Sequence, residues 1–206
     1  MSRQNLTPGF KQKKETKMKT LIILGSRNPE GQTARAARAV LEGLTSAGGK
    51  GEKVFLPQRK IERCRQCDIN GWGICRTEGC CVIEDDFSSL VGKIRKADAV
   101  VFATPVYFSD LSESLRAFLD RLRRITRHES GKRGISEKPA LGVCVAGGGG
   151  GGAPACAVSL EKVLSTCGFN VVDMMQIRRQ NLDVKLSALE AIGKWLATCG
   201  SPESKP

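Results

Sequence analysis

The sequence predicts a single α/β domain, a three-layer sandwich around a five-stranded parallel sheet in the order 2-1-3-4-5. Three observations predict it. Apolar runs alternate with amphipathic segments five times along the 206 residues. The first strand is a continuous apolar run, as in a parallel sheet covered on both faces. No internal repeat or second domain interrupts the series. Right-handed crossovers leave few topologies, and five strands favour this one, whose ligand crevice lies beyond the carboxyl ends of the strands.

The elements follow in order. Leu21 to Leu24 is the first strand, ending at Gly25. Thr33 to Thr45 is a helix with Ala34, Ala37, Val40, Leu41 and Leu44 on one face. Lys53 to Leu56 is a short second strand, and residues 57–86 form a long, cysteine-rich insert after it. Phe87 to Lys96 is helical, Ala99 to Ala103 is the third strand, and Ser112 to Ile125 is a helix with Leu115, Phe118, Leu119 and Leu122 inward. Leu141 to Val145 is the fourth strand, followed by six glycines, Gly147 to Gly152. Ala155 to Cys167 is helical, Asn170 to Met174 is the fifth strand, and Val184 to Thr198 is the last helix. Residues 1–18 and 200–206 read as disordered tails flanking a domain at 19–199.

Composition narrows the classes. No apolar run is long enough for a membrane span. The basic N-terminal segment lacks the apolar stretch of a secretory signal, which predicts a cytoplasmic protein. The net charge of +12 favours anionic partners. Much of it sits in the N-terminal tail and in Arg121, Arg123, Arg124, Arg127, Lys132 and Arg133. These read as a solvated tail and a solvated helix end, and no nucleic-acid motif accompanies them. In a reducing compartment the nine cysteines are not a disulfide framework. Cys144, Cys156, Cys167 and Cys199 lie among apolar or small neighbours and read as inert packing residues.

In this topology the loops after strands one, three and four converge. The first, Gly25-Ser26-Arg27-Asn28-Pro29-Glu30-Gly31-Gln32-Thr33, leads into a helix whose free N–H groups and dipole favour an anion. Ser26, Gln32 and Thr33 add hydroxyl and amide groups, and Arg27 a planar cation. The loop lacks both the Gly-Lys-Ser/Thr of a P-loop and the Gly-x-Gly-x-x-Gly of a dinucleotide fold, and suits a terminal monophosphate. The second, Thr104-Pro105-Val106-Tyr107-Phe108-Ser109, offers flat surfaces to a planar heterocycle. The third, the glycine run, lets backbone approach a ligand closely.

Gly-Ser-Arg-x-x-x-Gly-x-Thr, Thr-Pro-Val-Tyr-Phe and the late glycine run resemble the NADPH-dependent FMN reductases and iron–sulfur flavoproteins of the flavodoxin-like superfamily. Cys81-Val82-Ile83-Glu84-Asp85-Asp86 is also similar to that group, and the resemblance covers residues 19–196. It implies an FMN phosphate at Ser26, Arg27, Gly31, Gln32 and Thr33. It implies the flavin ring along Pro105, Val106, Tyr107, Phe108 and Ser109, with Gly147 and Gly148 on its other side. Gln32 and Ser109 depart from the family's usual Asn and Gly. The implied function is an oxidoreductase moving electrons from NAD(P)H to flavin, quinone or another small acceptor, with the flavin rather than a catalytic side chain doing the chemistry. The alternative is an iron–sulfur and FMN electron carrier served by a ferredoxin-like partner. The family also implies a homodimer or homotetramer.

The cysteine insert stays open between several readings. Cys64, Cys67, Cys75 and Cys81 are the best set of four thiolates for an iron–sulfur cluster or a zinc site. The compact motif of the iron–sulfur relatives has a third cysteine where this chain has Asn70. No metal, a cluster, zinc and thiol redox are therefore all carried forward.

Overall fold

The computed structural model describes residues 17–198. Five parallel strands form one sheet: β1 (Lys19–Leu24), β2 (Lys50–Phe55), β3 (Ala99–Pro105), β4 (Pro139–Ala146) and β5 (Asn170–Arg178). Their order is β2-β1-β3-β4-β5, as the alternation predicted. Seven helices accompany them among the described residues: α1 (Gln32–Ser46), α2 (Ile74–Thr77), α3 (Asp86–Lys96), α4 (Glu113–Ile125), α5 (Glu129–Lys132), α6 (Ala153–Cys167) and α7 (Leu182–Leu196).

The period-2 geometry of a strand divides each apolar run between two cores. On β1, Leu21 and Ile23 join Phe87, Phe118 and Leu160 on the face covered by α3, α4 and α6. Ile22 and Leu24 join Val40, Leu44 and Leu189 on the face covered by α1 and α7. Both faces of the central strands are dry, which is why they read as unbroken apolar runs.

Helices α1 and α7 meet backbone to backbone. A Cβ added at Gly43 would lie 1.9 Å from the carbonyl oxygen of Glu190, and one at Gly193 would lie 2.2 Å from that of Val40. Arg35 of α1 pairs with Asp183 of α7 at 3.1 Å across the same contact.

Four expectations need correction. Strand β5 runs to Arg178 rather than Met174. It is an edge strand, and in its last four residues buried Met175 and Ile177 alternate with exposed Gln176 and Arg178, so its end carries no apolar run. Helices α2 and α5 are single turns below the length at which periodicity is readable. Met18 belongs to the domain: its carbonyl accepts from the N–H of Lys50 and its side chain packs on the α1–α7 core. Of the tails expected at 1–18 and 200–206, residues 1–16 and 200–206 lie outside the described residues, as does Cys199.

The fourth correction is Arg121. It is no solvated helix end, because its side chain is 1% exposed and that of Asp85 is 0% exposed. The guanidinium bridges both carboxylate oxygens and donates to the carbonyls of Glu62 and Ile83. It also lies 4.2 Å over the ring of Phe87. Arg121 falls three residues after Phe118 and four before Ile125, so helical geometry puts it on the apolar face.

Candidate functional site

The first loop is anchored at its root. Gly25 donates its N–H to Ala103 of β3 at 2.8 Å, and its carbonyl accepts from Ser114 of α4 at 3.2 Å. Asn28 then closes a turn, its Oδ1 accepting from the N–H of Glu30 at 2.9 Å and its carbonyl from that of Gly31 at 3.3 Å. Gly31 is the N-cap of α1 and brings no side chain to the cap. The N–H groups of the first helical turn therefore lack an intrahelical partner, and the positive end of the helix dipole sits with them. The buried Thr33 and half-buried Gln32 stand in that turn.

The second loop leaves β3 through Pro105. Val106 donates to the carbonyl of Val145 at 2.9 Å, which prolongs the β3–β4 pairing. Tyr107 and Asp110 then exchange both backbone hydrogen bonds, at 3.0 and 2.9 Å, around a two-residue turn. Its central residues, Phe108 and Ser109, have φ of 48° and 64°. Both are left-handed, a turn geometry that ordinarily selects Asn-Gly. Asp110 is held from α4 by an ion pair with Arg116.

The third loop carries the glycines. Gly150 donates to the carbonyl of Gly147 at 2.8 Å, and Gln180, just beyond β5, donates to the carbonyl of Gly149 at 3.3 Å. Gly152 has a φ of 79°, and a Cβ there would come 2.7 Å from the Cα of Ser109. Only glycine lets this loop rest on the Phe108–Ser109 turn.

The three loops enclose a cleft of about 420 Å³. Of the expected residues, Ser26, Gln32, Thr33, Pro105, Val106, Tyr107, Gly147 and Gly148 line it. Arg27, Gly31, Phe108 and Ser109 are not on its wall. Arg27 is exposed, and Phe108 is fully exposed, its ring standing in solvent. Val145, Ala146 and Gly151 line the cleft without having been expected. The first two end β4, so strand topology was the signal for them.

The cleft fits FMN on three counts. Its volume lies in the range of cofactor pockets. Where Ser26, Gln32 and Thr33 line it, it presents uncapped helix N–H groups and two hydroxyls to an anion, which suits a phosphate. At Gly147 and Gly148 a Cβ would meet nothing within 4 Å, so bare backbone faces open space where a flat ring could lie.

The cysteine insert is a separate place. Cys64, Cys67, Cys75, Cys80 and Cys81 line a small apolar cavity with Arg121 and Arg124. Its volume is about 20 Å³, room for little more than a water. The Nε atoms of both arginines are buried without a hydrogen-bond partner. Among the described residues no three His, Cys, Asp or Glu side chains are placed to hold a metal ion. The four thiolates expected as ligands thus share a cavity wall without converging on one point. From Ser112 beside the cleft, the cavity lies roughly 14–18 Å along α4, at about 1.5 Å per residue.

Comparison with known proteins agrees with the geometry. A family model described as NADPH-dependent FMN reductase matches residues 18–180. An iron–sulfur flavoprotein of Methanocaldococcus jannaschii is 33% identical over 106 residues, 52% of each chain. One from Methanosarcina thermophila is 32% identical over 104 residues, 50% of this chain and 52% of its own. The alignment thus spans about half the length of these curated relatives. The solved NAD(P)H:quinone oxidoreductase of Methanothermobacter marburgensis superposes with a TM-score of 0.67 at 20% identity, covering 88% of this chain and 96% of its own, which shows a shared fold. Because the family model runs through every segment that builds the cleft, from β1 to Gln180, the chain belongs to the NADPH-dependent FMN reductase family.

Proposed function

We propose that the chain holds FMN in this cleft and moves electrons from NAD(P)H to a small acceptor, a quinone or free flavin. The carrying observation is that the uncapped N-terminus of α1 opens on the same cleft as the Pro105–Tyr107 wall and the glycine loop. Ser26, Gln32, Thr33 and the first-turn N–H groups bind the phosphate, with Arg27 adding charge from outside. Pro105, Val106 and Tyr107 support one side of the ring, and Gly147 and Gly148 the other. Gly31 shapes the loop, and Ser109 shapes the turn.

When bound, FMN supplies the hydride and electron chemistry. The protein positions it and excludes competing groups. Among the described residues Tyr107 is the one titratable side chain on the cleft wall, and none of them pairs with it as acid and base. Overall, NAD(P)H, a proton and a quinone give NAD(P)⁺ and the hydroquinone. The iron–sulfur carrier served by a ferredoxin-like protein is the weaker reading, because the insert thiols do not converge. The homodimer or homotetramer belongs to the same proposal and is read by light scattering.

The test is anaerobic. Purified protein loaded with FMN should bleach near 450 nm on addition of NADPH or NADH and recolour with menadione. A protein that takes up no FMN, or whose flavin neither nucleotide bleaches, removes the proposal. Bleaching by reduced ferredoxin alone would favour the carrier.

A further inference from the structure

Phe108 has no counterpart in the core, and its ring is fully exposed. The turn that presents it is strained at two successive non-glycine residues. Such strain persists only where surrounding structure over-determines it, and it concentrates at functional sites. Here the turn is held from three sides. Tyr107 and Asp110 lock its base with two backbone hydrogen bonds. Arg116 of α4 grips Asp110. Gly152 of the opposite loop packs against Ser109. Presenting an apolar ring to water from a backbone held this firmly contributes nothing to the core. Phe108 sits between Tyr107, which lines the cleft, and Ser109, which packs against Gly152 next to the lining Gly151, so the turn that carries the ring borders the cleft.

We propose that Phe108 is a specificity-determining residue for the electron acceptor, stacking on a planar aromatic acceptor at the mouth of the cleft. This rests on the oxidoreductase reading above. It moves Phe108 from cofactor contact to acceptor contact, in keeping with its absence from the cleft wall. An aromatic face favours offset or edge contacts with a flat conjugated ring and gives no such gain to a small inorganic oxidant.

The probes are menadione and ferricyanide, used on FMN-loaded full-length protein. Titrated into the oxidised protein, menadione should perturb the flavin spectrum, with its Kd raised about tenfold in Phe108→Ala and held within about twofold in Phe108→Tyr. In dithionite-reduced protein, the ratio of the menadione to the ferricyanide reoxidation rate should fall about tenfold in Phe108→Ala and persist in Phe108→Tyr. Menadione binding by Phe108→Ala that equals wild type, or an equal loss with both oxidants, overturns the proposal. Dithionite bypasses the nucleotide. A protein that passes this test without being bleached by NADPH or NADH would lose its assigned donor and keep this role for Phe108.

Discussion

Arg121 and Asp85 form a two-pronged ion pair at 2.6 and 3.0 Å inside the protein, between the third turn of α4 and the N-cap of α3. The same carboxylate accepts the N–H of Glu62 at 2.8 Å and that of Phe87 at 3.0 Å. One side chain therefore fastens the start of the cysteine insert, its end and two helices. Breaking it from one side strands a buried charge. Arg121→Met should cost about 3–5 kcal/mol, measured by urea unfolding, and the loss should shrink when Asp85→Leu is added.

The pair also sets an acid response. Burial pushes the Asp85 carboxyl up, but the bonds from Arg121 and from the N–H groups of Glu62 and Phe87 outweigh it and hold it below the ordinary carboxylate range. Its stabilisation is complete above the unfolded value of about 3.9 and is lost as pH falls through the lower folded value. The thermal midpoint should be insensitive to this group from pH 7 to 5 and drop below about pH 4. In Asp85→Asn that part of the drop should disappear.

Gly43 and Gly193 set the spacing of α1 and α7. Their added Cβ atoms would sit far inside contact distance of a carbonyl oxygen, and a backbone carbonyl cannot swing aside. Gly193→Ala should therefore destabilise by about 3 kcal/mol, the upper end of overpacking penalties. Gly92→Ala is the control, since nothing lies within 4 Å of its added Cβ. It should be neutral or slightly stabilising by denaturant melt.

Ser109 holds a φ of 64° that glycine would adopt freely. Ser109→Gly should raise stability by about 1 kcal/mol, the left-handed penalty less the added chain entropy. Ser109→Val should lower it, since a β-branched residue tolerates that conformation worst. Differential scanning calorimetry of the two variants reads the difference directly.

Thiol labelling separates two classes of cysteine. Burial pushes the Cys167 thiol up to about 12. Contact with Cys156, and then burial, raises Cys144. Neither should react with a thiol reagent in the folded protein at pH 8, whereas insert cysteines should. Cys80, raised first by burial and then by the charge of Glu78, should react faster as pH climbs from 7 to 10. Peptide mapping by mass spectrometry reads each position.

The sheet order was legible because apolar runs and amphipathic stretches alternate cleanly from Leu21 to Leu196. The cleft was legible because topology places three particular loops together. The features not legible in the sequence have physical causes. Arg121 reads as solvated from its charge, whereas its helical position turns it inward. The Phe108–Ser109 turn is silent in the sequence because it contains no glycine or asparagine to announce a left-handed conformation. The spread of the insert thiols depends on the path of a nearly irregular segment, which spacing alone does not fix.

The glycine run has an effect on how this cleft could ever change its preferences. Along that flank there are no side chains to exchange, so a point mutation can only intrude, never reshape. New selectivity on that flank would have to be introduced indirectly, through Gln180 and its grip on the carbonyl of Gly149. The opposite bank, from Pro105 to Ser109, is where variation among related proteins could most readily tune what the cleft accepts.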